Sequence, residues 1–308
     1  MITFSLNGEK VNYAGDPNRS LLNFLRLERQ LTAAKDACSG EGICGACTVE
    51  INGAAKLACT TKMSRLENTE VFTMEGFPEN VKQTIATSFV NKGAVQCGFC
   101  IPGFIVRTRV LLQNNPNPSI HEIRQAIKPH LCRCTGYKKI EEAMLDAAQA
   151  ILTNRKPEII KTSGKVGVSY PKYQAYETAT GIRRFVDDLF LDGMLFAALK
   201  FSDHPKVRIK KINIEKAQVL PGVHRVFTAA DIPGQHRVGL IYQDWPVMIA
   251  VGEITHCIGD VIAGVVADSD EIARKAVALV EVDYEVMTVS YTHLRAHETV
   301  LDLVCRLL

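Results

Sequence analysis

Residues 38–47 read CSGEGICGAC, residues 96–105 read QCGFCIPGFI, and residues 131–137 read LCRCTGY. These stretches contain seven of the ten cysteines, and Cys59 completes two sets of four that both lie before residue 135. The first set follows the spacing C-x5-C-x2-C-x11-C and consists of Cys38, Cys44, Cys47 and Cys59. The second set follows C-x2-C-x31-C-x-C and consists of Cys97, Cys100, Cys132 and Cys134. Each set supplies four thiol groups, which is enough to ligate one metal centre.

Three kinds of chemistry use grouped cysteines: disulfide bridges, zinc sites and iron–sulfur clusters. Disulfide frameworks are typical of small secreted chains, and residues 1–10, MITFSLNGEK, lack the basic and apolar segments of a secretory signal. Structural zinc sites usually pair two C-x2-C knuckles about 12 to 20 residues apart, and neither set has that symmetry. The spacing therefore favours two [2Fe–2S] clusters, each held by four thiolates, and leaves zinc and disulfides as the less favoured alternatives.

The first cysteine loop is rich in glycine. Gly40, Gly42 and Gly45 lie between and beside its thiols. Glycine reaches positive φ without strain, so backbone N–H groups can turn towards the sulfur atoms of a cluster. The spacing resembles the plant-type ferredoxin pattern C-x4-C-x2-C…C, with one residue more between the first two cysteines. A glycine-rich loop can accommodate that residue.

The composition describes a globular protein with an almost balanced charge. The 308 residues include 36 Lys and Arg against 33 Asp and Glu, a formal net charge of +3, which argues against nucleic acid as a partner. Hydrophobic residues make up 47% and charged residues 22%, so most of the chain can form packed cores. No apolar run approaches the roughly 18 residues of a membrane helix. We expect a cytoplasmic protein without a membrane span.

Turn and cap residues predict an α+β protein. Asn7-Gly8 predicts a hairpin, Ser20 a helix start, and Ser119-x-x-Glu122 a capping box. The predicted helices of the second cysteine region cover residues 79–91, 102–113, a segment after Ser119, and 138–152. The predicted strands beyond residue 190 cover residues 194–201, 207–214, 223–228, 260–267 and 281–285, with a helix capped by Ser269 before the last.

Together, CSGEGICGACTVEING, QCGFCIPGFI and LCRCTGY resemble the iron–sulfur portion of the molybdenum hydroxylases, the xanthine dehydrogenase and aldehyde oxidoreductase family. Four later stretches look like the a/b hammerhead domain that opens the molybdenum-binding portion of that family. They are GIRRFVDDL (181–189), MLFAALKFSDHPKVRI (194–209), LPGVHRVFTAADIPG (220–234) and GDVIAGVVADSDEIARKA (259–276). The resemblance extends over about residues 1–286.

The resemblance implies a domain order. It consists of a β-grasp, ferredoxin-like [2Fe–2S] domain (1–76), a four-helix [2Fe–2S]-binding domain (77–155), a linker (156–180), and the α/β hammerhead of a truncated molybdenum-binding portion (181–286). The linker is too short for an FAD domain, which indicates the flavin-free fused members and, among these, favours the selenium-dependent xanthine dehydrogenases over the aldehyde oxidoreductases. The closing stretch MTVSYTHLRAHETVLDLVCRLL (287–308) does not resemble the family, and we interpret it as an artefactual tail.

The resemblance also implies roles for residues. The cluster nearest the molybdenum cofactor is held by Cys97, Cys100, Cys132 and Cys134, and the outer cluster, which faces the electron acceptor, by Cys38, Cys44, Cys47 and Cys59. Gln96 and Cys134 are candidates for contact with the pterin of a molybdopterin-type cofactor. A capping or loop hydrogen bond is the alternative role for Gln96. No catalytic residue is expected, because the family's pterin-binding segments and its glutamate base have no counterpart here.

The functional expectation is an N-terminal part of a molybdenum hydroxylase. The complete enzyme of this type hydroxylates purines, other N-heterocycles or aldehydes with oxygen from water, and is often dimeric. Its electrons leave through the two clusters to an acceptor protein or a flavin subunit. We expect this chain to transfer electrons but not to hydroxylate without the remainder of the molybdenum portion. The alternative is a stand-alone iron–sulfur subunit of a multi-subunit dehydrogenase.

The remaining single residues receive structural interpretations. Cys257 is expected to be a small buried side chain, and Trp245 a core or interface residue. The histidines expected to be solvated or capping are His121, His204, His224 and His236. The residues not interpreted as ligands, because they lie in the closing stretch, are His293, His297 and Cys305.

Overall fold

The N-terminal sheet starts from a tight hairpin, because Asn7 and Gly8 both adopt positive φ, as a type I′ turn requires. The computed structural model describes residues 1–161 and 163–289. Its first sheet has the strand order β2-β1-β5-β3-β4, in which β1 and β5 are parallel and the other pairs antiparallel. The strands are β1 (Ile2–Leu6), β2 (Glu9–Tyr13), β3 (Thr48–Ile51), β4 (Ala54–Leu57) and β5 (Glu70–Phe72).

One helical segment packs across this sheet. Ser20 accepts the backbone N–H of Asn23 and so caps α1 (Leu21–Asn23), which continues as a π-helical turn over Phe24–Glu28. The core between helix and sheet contains Phe4, Leu21, Leu22, Phe24, Leu25, Val49 and Val71, each at most 2% exposed. Short 3-10 turns at Met63–Arg65 and Met74–Gly76 complete the domain. This arrangement is the β-grasp order that the sequence predicts.

Four helices follow, and they join at the second set of cysteines. They are α2 (Glu79–Asn91), α3 (Ile101–Asn114), α4 (Ile120–Ile127) and α5 (Lys138–Leu152). Cys97 and Cys100 lie between α2 and α3, and Cys132 and Cys134 precede α5. The capping box at the start of α4 forms as the sequence predicts, because the Ser119 hydroxyl accepts the Glu122 N–H. The helices pack around Phe89, Phe104, Ile123 and Met144, all fully buried.

A buried ion pair joins the sheet to the helices. Arg109 Nε on α3 lies 3.0 Å from Glu50 Oε2 on β3, and the two side chains are 10% and 6% exposed. The Arg109 guanidinium also lies 4.2 Å from the ring centroid of Phe77. Aromatic and carboxylate partners together compensate the burial of this cation.

The first compact unit extends to Leu189, beyond the four helices. Its last elements are a short helix, α6 (Ala175–Ala179), and a 3-10 turn at Val186–Asp188. Thr178 and Ala179 are buried within this unit.

The second unit begins at Phe190 and has an α/β architecture. Its described residues form a three-stranded sheet β6-β11-β8, the pair β12-β7 and the short ribbon β10-β9. The strands are β6 (Phe196–Phe201), β7 (Val207–Asn213), β8 (Val223–Thr228), β9 (Arg237–Val238), β10 (Trp245–Pro246), β11 (Val261–Ala267) and β12 (Glu281–Val286). The helices are α7 (Glu215–Gln218), the 3-10 turn Ala229–Asp231 and α8 (Asp270–Ala278), which Ser269 caps as predicted.

One expectation about a single residue in this unit is wrong, and another is narrowed to one of its alternatives. Cys257 is exposed rather than buried, because its loop folds around the carboxylate of Asp260, which accepts the Cys257 N–H at 3.3 Å and is itself buried. Trp245 is 66% exposed on the ribbon, so it is not a core residue, and a role at an interface stays a prediction. His224, expected to be solvated or capping, pairs with Asp268 at 2.6 Å on the surface. Most of the predicted tail, residues 290–308, lies outside the described residues.

The Glu50–Arg109 pair gives the first test of the fold. Arg109→Met leaves a buried carboxylate without its cation, which costs about 3–5 kcal/mol. We expect the amides of β3 and α3 to exchange with deuterium between about a hundredfold and several thousandfold faster in the protein of residues 1–308. The matched control is Arg124→Met, which removes a surface pair with Glu141 and is expected to change exchange less than about fivefold. Equal effects of both variants would contradict a role for the buried pair.

Candidate metal centres

In the first cysteine loop, the backbone curls around the sulfur atom of Cys38. Ser39, Gly40, Gly42 and Gly45 all have positive φ, between 51° and 82°. The curled backbone directs the N–H groups of residues 42, 43 and 44 at the Cys38 sulfur. N–H groups aimed at sulfur stabilise negative charge there, so the loop suits thiolates that bind a metal.

The four thiols of the first set, three in this loop and the fourth at Cys59, lie in two pairs. Cys38 and Cys44 share one hydrogen bond, and Cys47 shares another with Cys59. Burial raises the pKa of the Cys47 thiol to about 12. A buried thiol with a raised pKa stays protonated and inert unless a metal ion replaces the proton.

The second set shows the same arrangement at the junction of the helices. Cys100 pairs with Cys132, and Cys97 pairs with Cys134. The hydrogen bond from Cys100 lowers the pKa of Cys132 to about 5, and the Thr135 hydroxyl, 3.1 Å from the Cys132 sulfur, adds to this effect. One thiolate in the pair is therefore favoured at neutral pH even without metal.

Pairs of thiols fit a two-iron cluster better than a single ion. A structural zinc ion needs four ligands around one point. In a [2Fe–2S] cluster four thiolates hold two irons, so two thiolates serve each iron. The donor set and its pairing therefore suit the cluster.

The two cysteine loops touch each other through their backbones. The Leu131 N–H, next to Cys132, donates to the Cys44 carbonyl at 2.9 Å. A Cβ atom at Gly103 would lie 2.7 Å from the Gly45 carbonyl oxygen, so glycine is required there. The two candidate centres thus lie in one continuous contact, although they belong to different domains.

His130 lies in this contact, and sequence analysis did not single it out. Its ring is 1% exposed and stacks on Phe104 at 4.6 Å between centroids. Burial and the nearby Arg107 lower the pKa of His130 to about 3, and Arg107 Nε donates to its Nε2 at 3.3 Å. The imidazole is therefore neutral and serves as a packing wedge between the loops. The sequence feature that could have identified His130 is its position two residues before Cys132.

Gln96, Cys97 and Cys134 are all exposed, whereas Cys100 is buried. The second set therefore opens to the surface on its Cys97–Cys134 side. Contact of Gln96 or Cys134 with a pterin stays a prediction.

Three family models match consecutive parts of the chain. Residues 10–86 match a 2Fe-2S iron-sulfur cluster binding domain, and residues 73–145 match a [2Fe-2S] binding domain. Residues 180–288 match the a/b hammerhead domain of aldehyde oxidase and xanthine dehydrogenase. Only residues 146–179 separate the last two, which is fewer than the roughly 50 residues of the smallest ordinary domains.

Similar proteins are known in fused and in separate form. The aldehyde oxidoreductase of Megalodesulfovibrio gigas is 37% identical over 302 residues, which are 91% of this chain and 33% of that protein. The nicotinate dehydrogenase small FeS subunit of Eubacterium barkeri is 42% identical over 149 residues, 48% of this chain and 94% of that subunit.

A solved structure agrees over nearly the whole chain. The aldehyde oxidoreductase from Desulfovibrio desulfuricans superposes with a TM-score of 0.86 at 32% identity, over 96% of this chain and 35% of its own. The chain thus spans about a third of the length of the two aldehyde oxidoreductases. In the described residues, no helix combines the length and the apolar character needed to cross a membrane.

The contact between the loops can be tested with two glycines of one loop. Gly45→Ala places a Cβ 2.7 Å from the His130 ring, whereas Gly40→Ala meets nothing within 4 Å, and both residues have positive φ. Both variants therefore carry the backbone strain, about 1–2 kcal/mol, but only Gly45→Ala adds overpacking of about 1–3 kcal/mol. We expect Gly45→Ala to retain less iron and sulfide after anaerobic reconstitution than Gly40→Ala. Equal metal contents would contradict the close contact.

Proposed function

Because this chain belongs to the aldehyde oxidoreductase and xanthine dehydrogenase family of molybdenum hydroxylases, we propose that its eight paired cysteines hold two [2Fe–2S] clusters that transfer electrons from a molybdenum centre. The observation that supports the ligand assignment most strongly is the pairing of the thiols, Cys38 with Cys44, Cys47 with Cys59, Cys97 with Cys134 and Cys100 with Cys132. In this proposal each pair of thiolates binds one iron.

When bound, such clusters accept and release one electron each. The chain's own residues hold them, exclude water and adjust the local charge. Cys44, Cys47 and Cys100 are buried, so the inner wall of each site is dry. Backbone N–H groups directed at Cys38 stabilise extra negative charge on its side of the loop.

The exposure of the two sets supports a proposed direction of electron flow. We place the set containing Cys97 and Cys134 nearer the molybdenum cofactor, because both thiols and Gln96 reach the surface where further protein can cover them. The set containing Cys38 is then the outer one. Ile43, 60% exposed beside Cys44, supports this order, since an exposed apolar side chain suits contact with an electron acceptor.

For the whole protein we propose hydroxylation of an aldehyde or an N-heterocycle such as a purine, with electrons passed to an external acceptor protein or flavin subunit in the cytoplasm. The relatives matched over most of this chain are aldehyde oxidoreductases, and a small-subunit relative is a nicotinate dehydrogenase. The hammerhead match supports a fused chain rather than a separate iron–sulfur subunit, because the small-subunit match covers only 48% of the chain. In this proposal the molybdopterin cofactor is bound mainly by protein outside residues 1–308.

The test is metal analysis with electron paramagnetic resonance (EPR) on anaerobically purified protein of residues 1–308. We expect about four iron and about four acid-labile sulfide per chain, with two [2Fe–2S] signals after dithionite reduction. Cys47→Ser is expected to remove one signal, and Cys100→Ser the other. The matched control is Cys257→Ser, which changes an exposed cysteine outside both sets and is expected to leave both signals.

Two results would contradict the proposal. Zinc in place of iron, with no EPR signal after reconstitution, would indicate a structural metal protein. Loss of both signals in Cys47→Ser and in Cys100→Ser, with the fold retained, would indicate one shared centre instead of two.

A further inference from the structure

A lysine without any exposed surface lies next to the first cysteine loop. The side chain of Lys35 is 0% exposed, and its backbone N–H donates to the Ala46 carbonyl at 3.2 Å. Its ammonium nitrogen lies 6.0 Å from the ring centroid of Phe99 and 5.0 Å from that of Phe185. Phe99 stands between Cys97 and Cys100. The backbone of Lys35 thus contacts one cysteine loop, and its charge points towards the other.

The partner of this lysine comes from the far end of the unit. Asp188 Oδ2 pairs with Lys35 Nζ, and Asp188 is likewise 0% exposed. Asp188 Oδ1 also pairs with Arg26 at 3.0 Å, and Asp188 Oδ2 accepts the Phe185 N–H at 2.9 Å. Removal of Asp188 therefore leaves the buried ammonium of Lys35 without its carboxylate, whereas removal of Lys35 leaves Asp188 with Arg26 as its remaining cation.

The segment that carries Asp188 covers both cysteine regions. We call residues 175–188 the clasp. Thr178 fills the space over Gly98, where a Cβ would lie 1.9 Å from its methyl group, and Gly181 packs on Ala33 in the same way at 2.6 Å. Phe185 packs edge-on against Phe99 at 5.1 Å between centroids. The clasp therefore contacts the residues just before the first set and the residues inside the second.

We propose that Lys35 and Asp188 are positioning residues for electron transfer: they fasten the clasp over both cysteine regions and balance the charge that the two clusters experience. The inference rests on the proposed function. Reduction adds one negative charge to a cluster, so a nearby buried cation favours the reduced state and a buried carboxylate opposes it. The effect is expected to be larger at the Cys97 set, because the ammonium points towards Phe99.

The test uses opposite changes of charge in the protein of residues 1–308, followed by EPR-monitored redox titration. Lys35→Met is expected to lower the reduction potential of the cluster held by the Cys97 set. Asp188→Asn is expected to raise it, and the double variant to return it close to the wild-type value. A purely structural role predicts no opposite signs. The matched control is Lys139→Met, which removes an exposed cation five residues after Cys134 in the sequence. Any shift it causes is expected to be small and to vanish in high salt.

A second readout needs no metal. Arg183 and Arg184 are exposed within the clasp. If Asp188 fastens the clasp, Asp188→Asn lets the backbone at these sites open more often, and trypsin is expected to cleave there at least about tenfold faster. Lys35→Arg keeps the positive charge and is expected to retain most of the protection from cleavage.

The results separate this inference from the proposed function. Wild-type protein without iron–sulfur clusters would overturn the proposed function, while faster trypsin cleavage of Asp188→Asn would still support the fastening role. Two clusters whose potentials shift in the same direction in both single variants, or not at all, would overturn the charge balance alone. Unchanged cleavage in Asp188→Asn would overturn the fastening role. If Lys35→Met fails to fold, the reduction potential in Asp188→Asn is the deciding measurement: an increase supports the charge balance, and a decrease or no change contradicts it.

Discussion

The contact on which the first unit depends is one of backbone against backbone. The Gly45 carbonyl lies where a side chain at Gly103 would otherwise be, and the Leu131 N–H donates to the Cys44 carbonyl. Side chains larger than hydrogen would separate the two loops. Because β3 starts three residues after Gly45 and α3 contains Gly103, this contact also fixes how the sheet meets the helices. The two sites for electron transfer are therefore close for the same reason that the two domains form one unit.

Buried ion pairs hold this arrangement at two places. Arg109 pairs with Glu50 between sheet and helix, and Lys35 pairs with Asp188 beneath the clasp. Such pairs add little stability compared with apolar residues of equal volume, but they penalise any other register strongly, because an unpaired buried charge is costly. We infer that they define a single geometry around the clusters, where small displacements alter the local charge.

Local sequence signals predicted most of the elements that frame the sites. The Asn7-Gly8 turn, the Ser119 capping box and the helix over Lys138–Leu152 form as expected, because each depends on neighbours within a few residues. The ligand cysteines were predicted from their spacing, and their assignment to clusters remains a proposal. Strand β4 was not predicted, since AAKL at residues 54–57 lacks a clear apolar alternation.

Tertiary features could not be predicted in this way. The Lys35–Asp188 pair joins residues 153 positions apart, and nothing in either local sequence indicates the other. The wedge role of His130 requires both loops to be in place. Which thiol pairs with which also depends on the folded loops, since the spacing of Cys97, Cys100, Cys132 and Cys134 is compatible with several pairings. Cys257 is exposed because its loop buries Asp260 instead, and the sequence does not indicate which of the two side chains is buried.

The most direct measurement of the central claim, that two clusters lie in adjoining sites, is the magnetic interaction between them. Two paramagnetic clusters in touching loops split each other's EPR lines when both are reduced, and the splitting disappears when one is oxidised. The account predicts this splitting in the fully reduced chain and its absence in Cys47→Ser. Two unsplit, independent signals at full reduction would contradict the shared contact of the loops.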